Sequence, residues 1–320
     1  MASVFAFNDS ISDAVRWSTR SVTVSGSGTT TGAFPVTNIF SPDPGVYWER
    51  TGIASSSTVT LDLTLASSIA PAPPLNNNSI VWGFLNVQAF QESSGSAIDL
   101  TVRLRESTVA FTGPYNVDQQ RDVRLANVVE AAVRQTWMPR LGATSEPINS
   151  PLLRPLGGIV PRGFNRIEFT AAPGSNWTLR VGRLALMSGL VCTVSPQPTR
   201  GGADQSEVVR SFSGRPYVFK RNRLRRHAGT LVGLTDNEVR GNLEFTVQQW
   251  ASVFSIVQLA GVSQEVCVIE DIAAAASSSA WQQQPVFGLL QSDLQAQRQS
   301  NASGGGISTC DFDIVETPLS

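Results

Sequence analysis

The chain holds a single histidine, His227, inside the run RNRLRRHAG. A Ser-His-Asp arrangement would have to use it, yet the flanking arginines disfavour an imidazolium and no acid adjoins it in sequence. It therefore reads as an exposed loop histidine. No G-x-S-x-G elbow occurs, and the only lysine, Lys220, follows Phe219 rather than a glycine, which removes the phosphate-cradling G-K-[ST] motif. Gly26, Gly28 and the run from Gly304 to Gly306 lack the strand-turn-helix setting of a dinucleotide site and read as flexible turns. Cys192, Cys267 and Cys310 are odd in number, widely spaced and without a C-x-x-C, so buried reduced thiols are expected rather than a disulfide framework or a zinc site.

Carboxylates leave less of a trace, because a glycosidase needs only two of them about 5 to 10 Å apart. Asp311 and Asp313 lie two apart on an expected strand and share a face, which near a chain end marks a solvated edge that discourages strand pairing. Asp43 and Asp62 carry oxygen ligands suited to calcium in a sandwich loop, but no spaced ligand pattern surrounds them. The expectation is a chain that is not an enzyme, with no catalytic residue, no cofactor and no metal site.

Binding chemistry is better represented. KRNRLRRH, residues 220–227, is the densest charge, and on a strand Arg221, Arg223 and Arg225 share one face. Such a guanidinium ridge suits phosphates or the carboxylates of a partner. With a formal net charge of −1 and no interleaved aromatics, the ridge reads as an Arg-to-acid interface between proteins and argues against nucleic acid. Tyr47 and Tyr115 are candidates for an exposed aromatic platform that contacts a glycan, whereas Trp48 reads as core.

The elements that must position these residues are short and β-rich. From about residue 20 to 194, runs of Val, Thr, Leu, Ile and aromatics are separated by Gly, Pro, Ser and Asn clusters, as in a sandwich or barrel. The strand candidates are SVTVSG (21–26), STVTLDLTL (57–65), SIVWGFLNVQAF (79–90), IDLTVRLRE (98–106), FNRIEFTA (164–171) and WTLRVGRLALMSG (177–189). In the second of these, Val59, Leu61, Leu63 and Leu65 alternate with Thr60, Asp62 and Thr64, the pattern of a half-buried strand. Helical spacing of Leu125, Val128, Val129 and Ala132 suggests a short helix within 123–137.

SPQPTRGGADQS, residues 195–206, has no large apolar side chain and reads as a linker between a domain at 1–194 and a second at 207–320. In the second domain, strands are expected in EVVRSFSG, in PYVFKRNRLRRHAGTLVGLT, at 265–271, at 285–292 and at 310–317. Near 242–260, Leu243, Val247, Trp250, Phe254 and Val257 fall on one helical face before Gly261, so an amphipathic helix is expected there. The fold class is mainly β: an N-terminal jelly-roll or discoidin-like sandwich plus a smaller C-terminal β-rich domain with one helix.

Only 15% of the residues are charged, against roughly 25% in an average soluble domain. That surface is either covered by partners or coated with Ser, Thr, Asn and Gln. No window approaches 18 consecutive apolar residues, so no membrane insertion is expected, and the start MASVFAFNDSISDAV lacks the layout of a secretory leader.

SVTVSGSG, then FPVTNIFSPDPGVYWERTG, then STVTLDL, together resemble the opening of discoidin-like (galactose-binding-like) sandwich domains. In these, a small-residue strand, an asparagine-bearing segment, a Trp-Arg-like corner and a hydrophobic-x-Asp-Leu strand follow in that order. The form with PVTN ahead of PDP and Trp48 is similar to versions found in tailed-bacteriophage structural proteins. Two departures bear on the sugar-binding surface of some members: Glu49 separates Trp48 from Arg50, and ASSIAPAPPLNNN lengthens the next loop. The resemblance covers roughly residues 20–190. It implies a virion tail or baseplate subunit, made in the host bacterial cytoplasm and assembling with copies of itself and other tail proteins. The alternative it leaves open is a carbohydrate-binding module that contacts host surface glycans.

Overall fold

The computed structural model describes residues 3–7, 21–41, 43, 45–64, 78–107, 109–115, 117–126, 136–140, 164–195, 198–203, 207–210, 216–219, 224–240, 252–270, 285–299 and 307–317. The strands are β1 (Ser3–Phe7), β2 (Ser21–Ser25), β3 (Thr29–Thr30), β4 (Trp48–Ile53), β5 (Thr58–Thr64), β6 (Asn78–Gln91), β7 (Leu100–Ser107), β8 (Val117–Val123), β9 (Thr136–Arg140), β10 (Phe164–Thr170) and β11 (Trp177–Val194). Then come β12 (Thr199–Ala203), β13 (Glu207–Arg210), β14 (Pro216–Phe219), β15 (Leu224–Leu234), the helices α1 (Asp236–Arg240) and α2 (Val253–Leu259), β16 (Glu265–Ile269), β17 (Val286–Leu290), β18 (Gln295–Gln299) and β19 (Ile307–Glu316). The fold is mainly β, as the alternating apolar runs require.

One five-stranded antiparallel sheet has the order β2-β5-β10-β7-β8. Alternation decides its inner face: Val59, Leu61 and Leu63 of β5, Val102 and Leu104 of β7, and Ile167 and Phe169 of β10 are buried. Their outward neighbours include Asp62, Arg103, Arg105, Arg166 and Glu168, which pair across the strands. Facing this sheet is a wall in the order β3-β4-β11-β6-β9, which belongs to a twelve-stranded sheet. Trp48 and Phe84 from the wall meet the Phe169 ring at centroid distances of 6.5 and 5.9 Å, closing the sandwich core. Burying each such side chain contributes about 2 kcal/mol from area alone.

The eighteen-residue β11 leaves the sandwich and enters a second closed structure. Its end pairs with β1 and with β15, and the chain of pairs β11-β1-β16-β17-β19-β15 returns to β11 through Thr193↔Val232 and Val194↔Leu231. The six antiparallel strands form a small barrel, which leaves no free edge among them. Phe5, Leu190, Cys192, Leu231, Val266, Val268, Phe312 and Ile314 belong to its core. Gly229 faces inward, where an added Cβ would stand 2.9 Å from the Phe312 ring, so no side chain fits there.

Several expectations change. Thr199–Ala203, inside the expected linker, is a strand that pairs with β15, because extended backbone beside an open ladder needs no apolar pattern. The domain division at 195–206 is crossed by hydrogen bonding, since Ser3–Phe7 from the N-terminus is a stave of the C-terminal barrel. The helix expected over 123–137 meets strand at both limits, at Val123 and at Thr136–Arg140, while 127–135 lies outside the described residues. Asp311 and Asp313 do not mark a sheet edge: β19 lies between β15 and β17, Asp311 accepts a 2.6 Å hydrogen bond from Thr230 Oγ1, and Asp313 pairs with Arg226.

Of the expected helix near 242–260, the described part is α2, and Leu243, Val247 and Trp250 lie outside the described residues. Its buried side is Val253, Ile256 and Ala260, whereas Phe254 is 53% exposed. One position along a helix turns the side chain by about 100°, so the apolar face is shifted by a residue from the one read in the sequence. Gly261 does end the helix, at φ +50°, donating its N–H to the Ile256 carbonyl at 3.0 Å.

Candidate functional site

Tyr47 stands at the entry to β4. The Asn38 side chain fixes it from the preceding 3-10 turn, donating to the Tyr47 carbonyl at 2.9 Å, and the Phe34 ring stacks on the Tyr47 ring at 4.5 Å. Before it, Asp43 accepts from Gly45 N–H at 2.8 Å and its carbonyl accepts from Val46 N–H, an Asx-type turn that employs the carboxylate considered for calcium. Pro42 and Pro44 lie outside the described residues.

Pleating then sorts WER across the wall. Trp48 and Arg50 point inward: both reach Thr30 Oγ1, Trp48 through Nε1 at 3.2 Å, and Arg50 also donates to the Ser27 and Gly26 carbonyls at 2.9 and 2.8 Å. Burial lowers the Arg50 pKa, and the carbonyls compensate the desolvated charge. Glu49 points to the outer face. There its Oε2 accepts a 2.6 Å hydrogen bond from Arg180 Nε, and its Oε1 accepts one from Thr31 Oγ1 at 3.2 Å. The residue that interrupts the Trp-Arg pattern therefore holds a second arginine from β11, 131 positions away.

Arg180 is the centre of a ledge on this outer face. Its guanidinium carbon lies 5.0 Å from the Tyr47 centroid and 4.8 Å from that of Phe90 on β6. Both rings are half-buried, and Val46 next to Tyr47 is 41% exposed. Gln88 stands opposite Arg180 on β6, its Nε2 donating to Asn86 Oδ1 at 2.9 Å, and Thr178 donates to Glu92 at 2.8 Å. Aromatic rings, a fixed cation and an amide thus converge on one surface, while Thr178 is buried at 2% exposure. Sequence reading found Tyr47 but missed Arg180, Glu49 and Phe90, because they meet only through the β4-β11-β6 register.

Tyr115, the other aromatic candidate, belongs to the opposite outer face. Its hydroxyl donates to the Phe111 carbonyl, and Arg105 of β7 lies 5.0 Å from its ring centroid. Around it the charges are closed in pairs: Arg166 grips Asp62 through Nε and Nη2, both at 2.7 Å, and Arg103 grips Asp118 in the same manner at 2.7 and 2.6 Å. Arg103 holds the Asp118 carboxyl below its usual range. Tyr47 and Tyr115 are separated by the sandwich and cannot contact one sugar ring together.

The expected arginine ridge is described only at Arg225; Arg221 and Arg223 lie outside the described residues. Arg225 is engaged within the chain, Nε and Nη2 donating to Glu316 Oε1 at 3.0 and 2.7 Å, and Arg226 pairs with Asp313. His227 is not exposed: it is 1% exposed on β15, beside the Phe312 ring and 2.8 Å from Glu270 Oε1. Despite that 2.8 Å approach, neither ring nitrogen makes a well-formed hydrogen bond. Burial works against the Glu270 charge, but His227 and Arg200 beside it hold the carboxyl down to about 2. All three cysteines are free and buried, and burial pushes the Cys192 thiol up to about 12. Among the described residues no three His, Cys, Asp or Glu side chains cluster as metal ligands, and no helix is long and apolar enough to cross a membrane.

No protein-family model and no curated protein matches the chain. Among solved structures, it is similar to a pectin-binding carbohydrate-binding module, at 12% identity over 52% of this chain and 88% of that one, with a TM-score of 0.25. It is also similar to the binding domain of botulinum neurotoxin DC, solved with rat synaptotagmin II, at 7% identity over 99% of this chain and 98% of that one, with a TM-score of 0.24. Scores this low assign neither a family nor a ligand.

Proposed function

We propose that the chain is a carbohydrate-binding module whose sugar lies on the ledge of Tyr47, Arg180 and Phe90. The observation that supports this reading is the ledge itself: half-buried rings around a guanidinium that the buried Glu49 holds in place. With Phe34 stacked on Tyr47 and Arg180 over it, the C–H groups of a sugar meet the exposed ring edges and the guanidinium, and its hydroxyls pair with planar polar side chains at fixed positions. A glycan array probed at high protein concentration tests the reading. Binding is expected to a defined set of glycans, and Tyr47→Ala is expected to weaken each hit about tenfold, roughly 1.4 kcal/mol. A blank array would remove the proposal.

A second reading, assembly with copies of itself as in the virion tail that the sequence resemblance implies, is favoured by β18. Among the described residues it pairs only with β19, and Arg298 is its one charge, with no proline. Among the described residues its outer ladder side is open to a further strand, with one charge and no proline to oppose it. Light scattering across a concentration series is expected to give a closed oligomer or a mass that rises with concentration. A monomer throughout would count against self-assembly and leave the glycan reading untouched.

A further inference from the structure

Arg180 is held differently from Arg103 and Arg166 on the opposite sheet. Arg103 and Arg166 each close Nε and Nη2 on one carboxylate. Arg180 gives only Nε to Glu49, and among the described residues its Nη1 and Nη2 have no hydrogen-bond partner. The side chain is 32% exposed, so solvent reaches part of it. Contact with the Tyr47 and Phe90 rings restricts the guanidinium, and the Glu49 bond, itself braced by Thr31, holds its Nε. The result is a braced guanidinium whose Nη1 and Nη2 meet no carboxylate among the described residues.

Two parallel N–H donors match two oxygens of one carboxylate. We infer that the ligand is an acidic sugar, a uronic-type residue whose carboxylate pairs end-on with Nη1 and Nη2 of Arg180 while its ring packs beside Tyr47 and Phe90. The inference rests on the glycan-binding reading above and adds the class of sugar. Glu49 does not compete for this edge, because its oxygens are taken by Arg180 Nε and by Thr31. A neutral sugar would leave both donors to water and gain only the ring contacts and single hydrogen bonds.

The test is calorimetric titration of the full chain with three probes: an oligouronate, the same oligomer with its carboxyl groups reduced to alcohols, and the reduced oligomer after sulfation. The oligouronate is expected to bind at least about tenfold more tightly than the reduced oligomer, and more tightly than the sulfated one. In Arg180→Lys, which keeps the charge but loses the fork, the preference for the oligouronate over the reduced oligomer is expected to fall towards one. Equal binding of oligouronate and reduced oligomer by the wild-type chain would overturn the inference and leave the glycan reading standing. Preference for the sulfated oligomer would overturn the carboxylate assignment. No binding of any probe, with array hits confined to neutral glycans, would also overturn it, whereas a blank array as well would remove both readings. The comparison of probes on the wild-type chain holds whether or not the variant folds.

Discussion

Trp48→Ala is expected to destabilise the fold by about 4 kcal/mol, the cost of a large cavity where a fully buried aromatic was removed. Trp48 has no exposed surface, packs edge-on to Phe169, and donates its indole N–H to Thr30. Its loss opens the sandwich core and also frees the loop that Arg50 ties down through the Gly26 and Ser27 carbonyls. Gly26 has no room to compensate, because a Cβ there would stand 2.2 Å from the Thr58 carbonyl oxygen. Thermal unfolding should drop by roughly 10 °C for a chain of this size. A variant melting within about 2 °C of the wild type would mean that the tryptophan is not the anchor of the corner.

Glu270→Gln is expected to cost roughly 1–2 kcal/mol near neutrality, the charge pairing being partly screened by solvent, and to flatten the acid side of the stability profile. The folded-state pKa of Glu270 is about 2, below its ordinary value of 4.5. A depressed carboxyl binds fewer protons folded than unfolded, so its stabilisation is fully present above about 4.5 and is lost as the pH falls from there to about 2. Its partners are His227 across 2.8 Å and the guanidinium of Arg200, and its own carbonyl accepts the Ser3 hydroxyl. The carboxylate thereby joins β15 and β12 at the end of β16, while the backbone carbonyl ties in β1. Denaturant titrations of both proteins, from neutral pH downwards, should show curves that converge in acid. Curves that stay parallel would show that Glu270 carries no linked proton.

What could be read from the sequence follows from where the physical signal is stored. β5 declares itself, because its apolar residues alternate within seven positions and one face is solvated. β18, reading QAQRQ, carries no hydrophobic period and is a strand only because β19 supplies a ladder. β1 is too short and too uniformly apolar to betray its place between β11 and β16. The end of the barrel illustrates the same limit: His227 looked unpaired because its acid, Glu270, is 43 positions away and arrives through β16. In the site, Tyr47 was legible as an aromatic after a turn, and Trp48 as core. Arg180 was not, since a strand arginine opposite a polar residue is ordinary until the register shows two rings beside it.

Sugar binding on the Tyr47 face of the sandwich is open to direct measurement. Calorimetric titration of one array hit into the wild type, Tyr47→Ala and Tyr115→Ala, all checked for equal melting, tests it most directly. Affinity is expected to fall about tenfold in Tyr47→Ala and to stay at the wild-type value in Tyr115→Ala. Unchanged affinity in Tyr47→Ala, or a loss confined to Tyr115→Ala, would contradict it.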